Sequence, residues 1–109
     1  SDWTVSTPNV LAQAEVAVTR VSPEDRSTEP LLPAQAITLT DVLAAFTAGS
    51  AYVSHLDGLS GTIEVGKAAD LVVLDRDVFA EAPGRIGDAR VLLTLVEGVA
   101  VHEDRALEA

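Results

Sequence analysis

The chain has 109 residues, of which 48% are hydrophobic, and its 17 acidic and 7 basic side chains give a formal charge of −10. This hydrophobic content is too high for a disordered chain, because disorder goes with low hydrophobicity and high net charge. The acidic balance excludes nucleic acid as a partner, since that binding depends on Lys and Arg. Cysteine is absent, which excludes disulfides and thiolate chemistry. The sequence contains no apolar run of membrane-spanning length and no signal peptide, so we expect a cytoplasmic protein without a membrane partner.

A first helix is predicted over residues 8–20. Thr7 can cap its first turn with the side-chain hydroxyl, and Pro8 suits the first helical position. Apolar residues then recur at helical spacing, with polar side chains such as Glu15 between them. The polar, proline-flanked stretch 22–30 predicts a loop.

A second, stronger helix is predicted over residues 38–56. The Thr38 hydroxyl can cap the amide of Asp41, while the Asp41 carboxylate reaches back. One face of this helix is apolar. It consists of Leu39, Val42, Leu43, Phe46, Val53 and Leu56. Gly49 and Ser50 form a weak point near its end, and residues 57–58 stop it.

Strands are predicted in the remaining chain. Apolar residues alternate over 61–65, and Leu71–Leu74 is apolar on successive residues, which predicts a strand covered on both faces. Residues 91–101 are typical of a hairpin that turns at Gly98. Two helices followed by about four strands predict an α+β fold with a small, mainly antiparallel sheet.

The segment 61–68 is close to a phosphate-binding loop but lacks its chemistry. Ala68 has no hydroxyl for magnesium, and Glu64 would face a phosphate. A helix should also follow such a loop, whereas a strand is predicted here. We therefore expect a hairpin and no nucleotide site.

The remaining polar residues give little indication of metal binding or catalysis. His55 and His102 are the two histidines, and a catalytic zinc needs about three protein ligands, so we interpret His55 as a surface group near a helix end and His102 as a strand-end residue. Ser54 and Ser60 have no recognisable base. Three acidic pairs in turns are interpreted as aids to solubility. These are Glu24/Asp25, Asp75/Asp77 and Glu103/Asp104.

Three segments in order carry a family resemblance. They are S-D-W-T-V at 1–5, L-T-D-V-L-A-A-F-T at 39–47 and G-T-I-E-V-G-K-A-A-D-L-V-V-L-D at 61–75. The chain from residue 1 to about residue 103 resembles the C-terminal part of the metal-dependent amidohydrolases, in particular the amidohydrolase 3 group. Thr4 stands where the group has proline.

The resemblance implies a structural and a chemical role for each part. Residues 1–56 would be the last strand end and helices of a (β/α)8 barrel, and 57–109 a C-terminal β-sandwich subdomain. Asp2 would be both the catalytic aspartate and a member of the metal centre, beside a divalent metal that is usually zinc. A carboxylate there can orient a metal-bound water and take its proton. Lys67 would lie far from the metal, and Gly66 and Asp70 would be structural.

The implied activity is hydrolysis of a non-peptide C–N bond, in a small-molecule amide or cyclic amide, by metal-activated water. A barrel takes about 250 residues, and the family's His-x-His ligands would precede Ser1. The methionine-free start also suggests processing, cleavage or trimming, with a genuinely short gene product as the alternative. We therefore expect the isolated chain to be an inactive, metal-free fragment that self-associates through uncovered sheet edges. The alternative is a non-catalytic interaction or regulatory module derived from a degenerate amidohydrolase.

Overall fold

The computed structural model describes residues 2–105, and these form an α+β chain with three α-helices and a three-stranded antiparallel sheet. The helices are α1 (Val10–Thr19), α2 (Leu39–Ala44) and α3 (Ser50–Val53). The strands are β1 (Leu71–Leu74), β2 (Val91–Val96) and β3 (Val99–Glu103). The α+β prediction is confirmed. The chain divides into a first unit, up to Val42 together with Asp77–Ala89, and a second unit, Leu43–Arg76 together with the chain from Arg90 onward.

Helix α1 confirms the helix predicted over 8–20, but its cap differs. The side-chain oxygen of Asn9 accepts hydrogen bonds from the amides of Leu11 (3.1 Å) and Ala12 (3.2 Å). Thr7 instead accepts a bond from the Asn9 amide, at 3.1 Å. Thr7 was therefore the wrong cap, because Asn9 stands immediately before the first helical residue and satisfies two of the amides that a helix start leaves unpaired.

The core of the first unit lies where α1 meets α2 and a 3₁₀ helix, Pro83–Asp88. Ala14, Val42 and Ile86 are buried there, with Ala17 and Val18 packed against them. Fully burying a side chain such as Ile86 contributes about 1.5–3 kcal/mol. This core fixes α1 against the 3₁₀ helix, and both elements carry residues of the candidate site.

The helix predicted over 38–56 forms over 39–53 and contains a π-helical turn. Its start is as predicted, since the Thr38 hydroxyl oxygen accepts a bond from the Asp41 amide at 3.1 Å. The Asp41 carboxylate, however, accepts from the Thr38 hydroxyl (2.8 Å) instead of from the backbone. A π-helical turn, Ala45–Gly49, then separates α2 from α3.

The π turn changes which side chains are buried. The Ser50 amide bonds to the carbonyl of Ala45, five residues back, and the Thr47 hydroxyl donates to the carbonyl of Leu43 at 2.7 Å. Such a turn holds an extra residue and rotates the side chains that follow it. Ala51 is buried as a result, whereas Val53 is 77% exposed. The predicted continuous apolar face was therefore wrong beyond the π turn.

In the sheet, β2 pairs with both β1 and β3. Val72 lies opposite Thr94, and the register shifts between Val73 and Leu74. Among the described residues β1 is an edge strand, with Val72 55% and Val73 43% exposed. Within the described residues both faces of this strand are therefore partly exposed, and the expectation that they are covered is not met in this chain.

The strand predicted over 61–65 is absent from the described chain, which has three strands instead of about four, so the expected hairpin of segment 61–68 was wrong. Ile63 is 87% exposed and Val65 fully exposed. Alternation makes a strand only where a neighbouring strand takes the backbone hydrogen bonds. Here the segment is a loop, and Gly61 lies so close to Ala51 that an added Cβ would be 2.6 Å from the Ala51 Cβ.

The hairpin predicted over residues 91–101 is confirmed, with β2 and β3 joined at Glu97 and Gly98. Both turn residues have positive φ, 51° and 79°, as a type I′ turn requires. The Gly98 amide donates to the carbonyl of Ala69 (3.0 Å), and the Glu97 amide donates to the Asp70 carboxylate (2.8 Å). The turn is thus tied to the residues that lead into β1.

Candidate functional site

Asp2 lies in an exposed turn before α1. Its φ is +49°, and its carbonyl accepts a hydrogen bond from the Val5 amide at 2.7 Å. Over residues 2–105, no three His, Asp or Glu side chains are grouped so that they could hold a metal ion. The described residues therefore do not make a complete divalent-metal site by themselves, and the metal role of Asp2 stays a prediction.

A groove of about 960 Å³ in the first unit begins at the residue after Asp2. Trp3 and Pro8 line it before the helix, Ala12 and Val16 line it from α1, and Pro23 lines it from the loop after α1. We call it the Trp3 groove. Its lining is mostly apolar and its volume is in the range of small-molecule sites, about 300–1,000 Å³.

A buried carboxylate stands on α1 in the same unit. The Glu15 side chain is 1% exposed, and it accepts hydrogen bonds from Arg26 Nε (3.0 Å), Arg26 Nη2 (2.8 Å) and the Gly87 amide (2.9 Å). Arg26 Nη2 also donates to Asp88 at 2.9 Å, and the other Asp88 oxygen lies 2.7 Å from Arg85 Nε. This Glu15 cluster ties α1 to the loop after it and to the 3₁₀ helix.

The protonation of the cluster follows from these bonds. The hydrogen bond to Glu15, and then that to Asp88, raise the pKa of Arg26 further above its usual range. The hydrogen bond from Arg26 is the largest cause that lowers the pKa of Asp88. Arg26 and Asp88 therefore carry opposite charges at neutral pH, and the hydrogen bond between them is a charge-assisted one.

Gly87 meets Glu15 at close range. A Cβ added to Gly87 would lie 3.1 Å from Glu15 Oε1 and 3.5 Å from the Cα of Ala12. Glycine therefore lets the backbone come near enough to α1 to donate its amide to the buried carboxylate.

The polar residues of the segment 61–75 bond to backbone and to one another. Lys67 Nζ donates to the carbonyl of Asp57 (2.6 Å) and to the Thr62 hydroxyl (2.8 Å), and it lies 3.1 Å from the Glu64 carboxylate. Thr62 in turn donates to Glu64. Together with the bond from the Glu97 amide to Asp70, these contacts give the segment a structural role. Since a strand follows it, it also lacks the helix of a phosphate site.

Both histidines belong to the second unit. His55 follows α3 with a φ of +58°, and His102 Nε2 lies 3.0 Å from the carbonyl of Val91. A second groove, of about 630 Å³, is lined by hydroxyl side chains that include Ser54 and Ser60. Asp70 is the carboxylate that lines it, and its bond to the Glu97 amide gives it a structural partner.

Comparison with known proteins decides the family. The profile of the amidohydrolase family matches residues 1–102, which include the Asp2 turn, the Glu15 cluster and the signature segment 61–75. The chain belongs to the amidohydrolase family. Hydrolases are therefore its relatives, and such enzymes are generally metal-dependent.

Three relatives of this amidohydrolase chain come from different organisms. An N-substituted formamide deformylase of Arthrobacter pascens is 39% identical over 90 residues, 83% of this chain and 17% of its own length. Protein LONG AFTER FAR-RED 3 of Arabidopsis thaliana is 35% identical over 98 residues, 90% of this chain and 16% of its own. An imidazolonepropionase of Bdellovibrio bacteriovorus is 42% identical over 41 residues, 38% of this chain and 10% of its own. No solved structure matches.

The chain thus spans about a sixth of the length of the first two curated relatives. In the described part of the chain, no helix is long and apolar enough to cross a membrane.

Sequence reasoning missed the Glu15 cluster. Glu15 was placed among the polar residues between the apolar positions of α1, yet it is buried. One signal was available, since Glu15 stands four residues after Leu11 and three before Val18, which is the spacing of one helix face.

Proposed function

We propose that the chain is the C-terminal part of an amidohydrolase that hydrolyses a non-peptide C–N bond in a small-molecule amide or cyclic amide. The family match over residues 1–102 carries this proposal. The 39% identity with a protein named for the deformylation of N-substituted formamides supports the bond type. The chain matches only a short part of each relative, so the proposed activity is that of the whole protein that contains this chain.

The proposed architecture follows the same family membership. Residues 1–56 close a (β/α)8 barrel, and residues 57–109 form the subdomain beside it. Catalytic residues of such barrels stand at the C-terminal ends of the strands. Asp2 precedes α1 by a short turn, which is where the end of the last barrel strand would lie.

The proposed role of Asp2 is proton transfer. Its exposed carboxylate takes a proton from the attacking water and delivers it to the leaving nitrogen, a step that a positioned carboxylate accelerates by about 10²–10⁴-fold. The divalent metal of the family, usually zinc, would supply Lewis acidity. Because the described residues do not form a complete metal site, its other ligands would come from chain beyond this sequence.

A second candidate is a non-catalytic interaction or regulatory module derived from the same family. It is favoured by the 35% identity, over 90% of this chain, with a protein whose name, LONG AFTER FAR-RED 3, describes no reaction.

The test is made on the whole protein that contains this chain. Asp2→Asn should lower kcat by at least about 100-fold, because the amide cannot accept the proton, and it should leave thermal unfolding nearly unchanged, because Asp2 is exposed. Amine release from formamides, acyl amides and cyclic imides measures the activity. Asp57→Asn removes the same charge from another exposed side chain and serves as the control.

Two outcomes would contradict the proposal separately. Near-normal kcat in Asp2→Asn would remove Asp2 from the chemistry while leaving the hydrolase intact. Wild-type protein that hydrolyses none of these substrates with added Zn²⁺, Mn²⁺ or Co²⁺ would favour the non-catalytic candidate.

A further inference from the structure

The loop after α1 supplies one side of the Trp3 groove. Ser22, Pro23 and Glu24 line the groove on this side, and Arg26 follows two residues after Glu24. Through Arg26 the loop is bonded to the buried Glu15 carboxylate. The groove side and its anchor are therefore parts of one short segment.

The anchor of this loop is the buried Glu15 carboxylate. Glu15 is 1% exposed and receives two bonds from Arg26 in a bidentate arrangement, with a third from the Gly87 amide. Further along, the loop is closed by a two-way contact, in which the Leu31 amide donates to the Arg20 carbonyl (2.8 Å) and Arg20 Nε donates to the Leu31 carbonyl (2.9 Å). Because the loop is fixed at Arg26 and again at Leu31, residues 22–24 have a set position against α1.

We propose that Glu15 and Arg26 are positioning residues that hold segment 22–24 as a wall of the Trp3 groove, and that this groove receives the apolar, non-reacting substituent of the amide. The inference rests on the proposed function, since Asp2, the proposed catalytic residue, directly precedes Trp3 in the chain although it does not itself line the groove. The indole of Trp3, the ring of Pro8 and the side chain of Val16 offer apolar contact, and the volume of about 960 Å³ accommodates an arylalkyl group.

This role predicts a particular kinetic effect. We expect the wall to contact the substituent equally in the ground state and in the transition state, and the loss of such uniform binding raises KM and leaves kcat unchanged. A small substituent does not reach the wall. Loss of the anchor should therefore change KM for a bulky substrate alone.

The experiment compares two versions of an amide that the whole protein hydrolyses, with N-methyl and N-(2-phenylethyl) as the only difference. Arg26→Gln should raise KM for the phenylethyl version about tenfold, a typical value for altered hydrophobic pocket contacts, with kcat for both versions and KM for the methyl version unchanged. Arg26→Lys should recover part of the loss, because a lysine supplies the charge without the bidentate fork. Arg105→Gln is the matched control, since it makes the same change on an exposed arginine outside the Glu15 cluster.

Each outcome decides the question. An unchanged KM for the phenylethyl version in Arg26→Gln overturns the positioning role while the hydrolase function stands. Equal losses for both versions also overturn it, because they show a general structural role. A wild type that hydrolyses no amide shows instead that the proposed function has failed. If Arg26→Gln does not fold, Glu15→Gln removes the charge but keeps an acceptor for the Gly87 amide, and the same KM criterion applies.

Discussion

At the scale of single residues, Asp75 shows how a signature carboxylate supports the sheet. It follows β1 and accepts hydrogen bonds from Arg76 Nε and Nη2 (both 3.0 Å) and from the Arg90 amide (2.8 Å), just before β2 begins. The bonds from Arg76, and then that from the Arg90 amide, lower the pKa of Asp75 from 3.8 to about 2. The acidic pair Asp75/Asp77 was interpreted as an aid to solubility, but Asp75 is a bonded structural residue.

The lowered pKa predicts an acid-dependent contribution to stability. A carboxylate whose pKa is lower in the folded state stabilises the fold above its unfolded pKa and loses that effect as the pH falls. The difference in free energy of unfolding between wild type and Asp75→Asn should therefore be full above about pH 4 and shrink as the pH falls to about 2. Urea unfolding at a series of pH values measures it.

The control for this prediction is Asp57→Asn, which makes the same change of charge on an exposed side chain. Its difference from wild type should not follow the same pH course. A constant difference between wild type and Asp75→Asn over the whole acid range would show that the bonds to Arg76 and Arg90 do not stabilise the ionised form.

Glu15 shows why some residues escape prediction from sequence. The helix itself was predictable, because its apolar spacing and its start are local signals. The burial of Glu15 depends on Arg26, 11 residues on, and on Gly87, 72 residues on. An acidic side chain is fully buried only when it is paired, and a single sequence does not show which distant cation and amide will supply the pair.

At the scale of elements, the π turn in the second helix has a cause that is partly visible in the sequence. The Thr47 hydroxyl donates a hydrogen bond to the Leu43 carbonyl. A Cβ added at Gly49 would lie 3.3 Å from the Ala44 carbonyl oxygen. Gly49 was identified as a weak point, but sequence reasoning placed no extra residue there. The apolar pattern continues through the π turn, so periodicity predicted the helix but not the extra residue that the turn holds.

The hairpin between β2 and β3 carries the prediction at this scale. Gly98 has a φ of +79° and its added Cβ would have open surroundings, with the nearest atom 3.9 Å away. Gly98→Ala should therefore destabilise the protein by about 1–2 kcal/mol through backbone strain alone. Glu97, at φ +51°, should gain stability on replacement by Asn, since Asn-Gly is a preferred type I′ pair. Urea unfolding measures both variants.

Gly58→Ala provides the comparison for the hairpin, because Gly58 also has open surroundings but no positive φ. Gly58→Ala should leave the free energy of unfolding nearly unchanged. Equal losses in Gly98→Ala and Gly58→Ala would show that the hairpin effect comes from the loss of any glycine and not from the conformation of the turn.

At the scale of the whole molecule, the segments that predicted the family differ in what they reveal. The signature 61–75 was the most specific part of the resemblance, and its described contacts are structural ones, with Lys67 bonded to the Asp57 carbonyl and Asp70 to the Glu97 amide. Asp2, the predicted catalytic residue, lies outside that signature. A family can thus be read from residues that hold the fold, while the chemistry needs partners that local sequence does not show.

The exposed sheet edges carry the last prediction. Val72 on β1 is 55% exposed, and Val99 and Val101 on β3 are 65% and 62% exposed. Apolar edge strands with unpaired backbone groups add strands from other molecules. We therefore expect the 109-residue chain to self-associate, with a mass in light scattering that rises above 11.4 kDa as concentration increases.

A lysine on an edge should oppose this association, because strand addition would bury its charge. Val101→Lys should return the mass toward that of the monomer. Val65→Lys adds the same charge at a fully exposed loop position and should leave the association unchanged, so the pair separates an edge effect from a general effect of charge. If wild type stays a monodisperse monomer at every concentration, the edges do not drive association, and the exposed valines are tolerated on an isolated sheet.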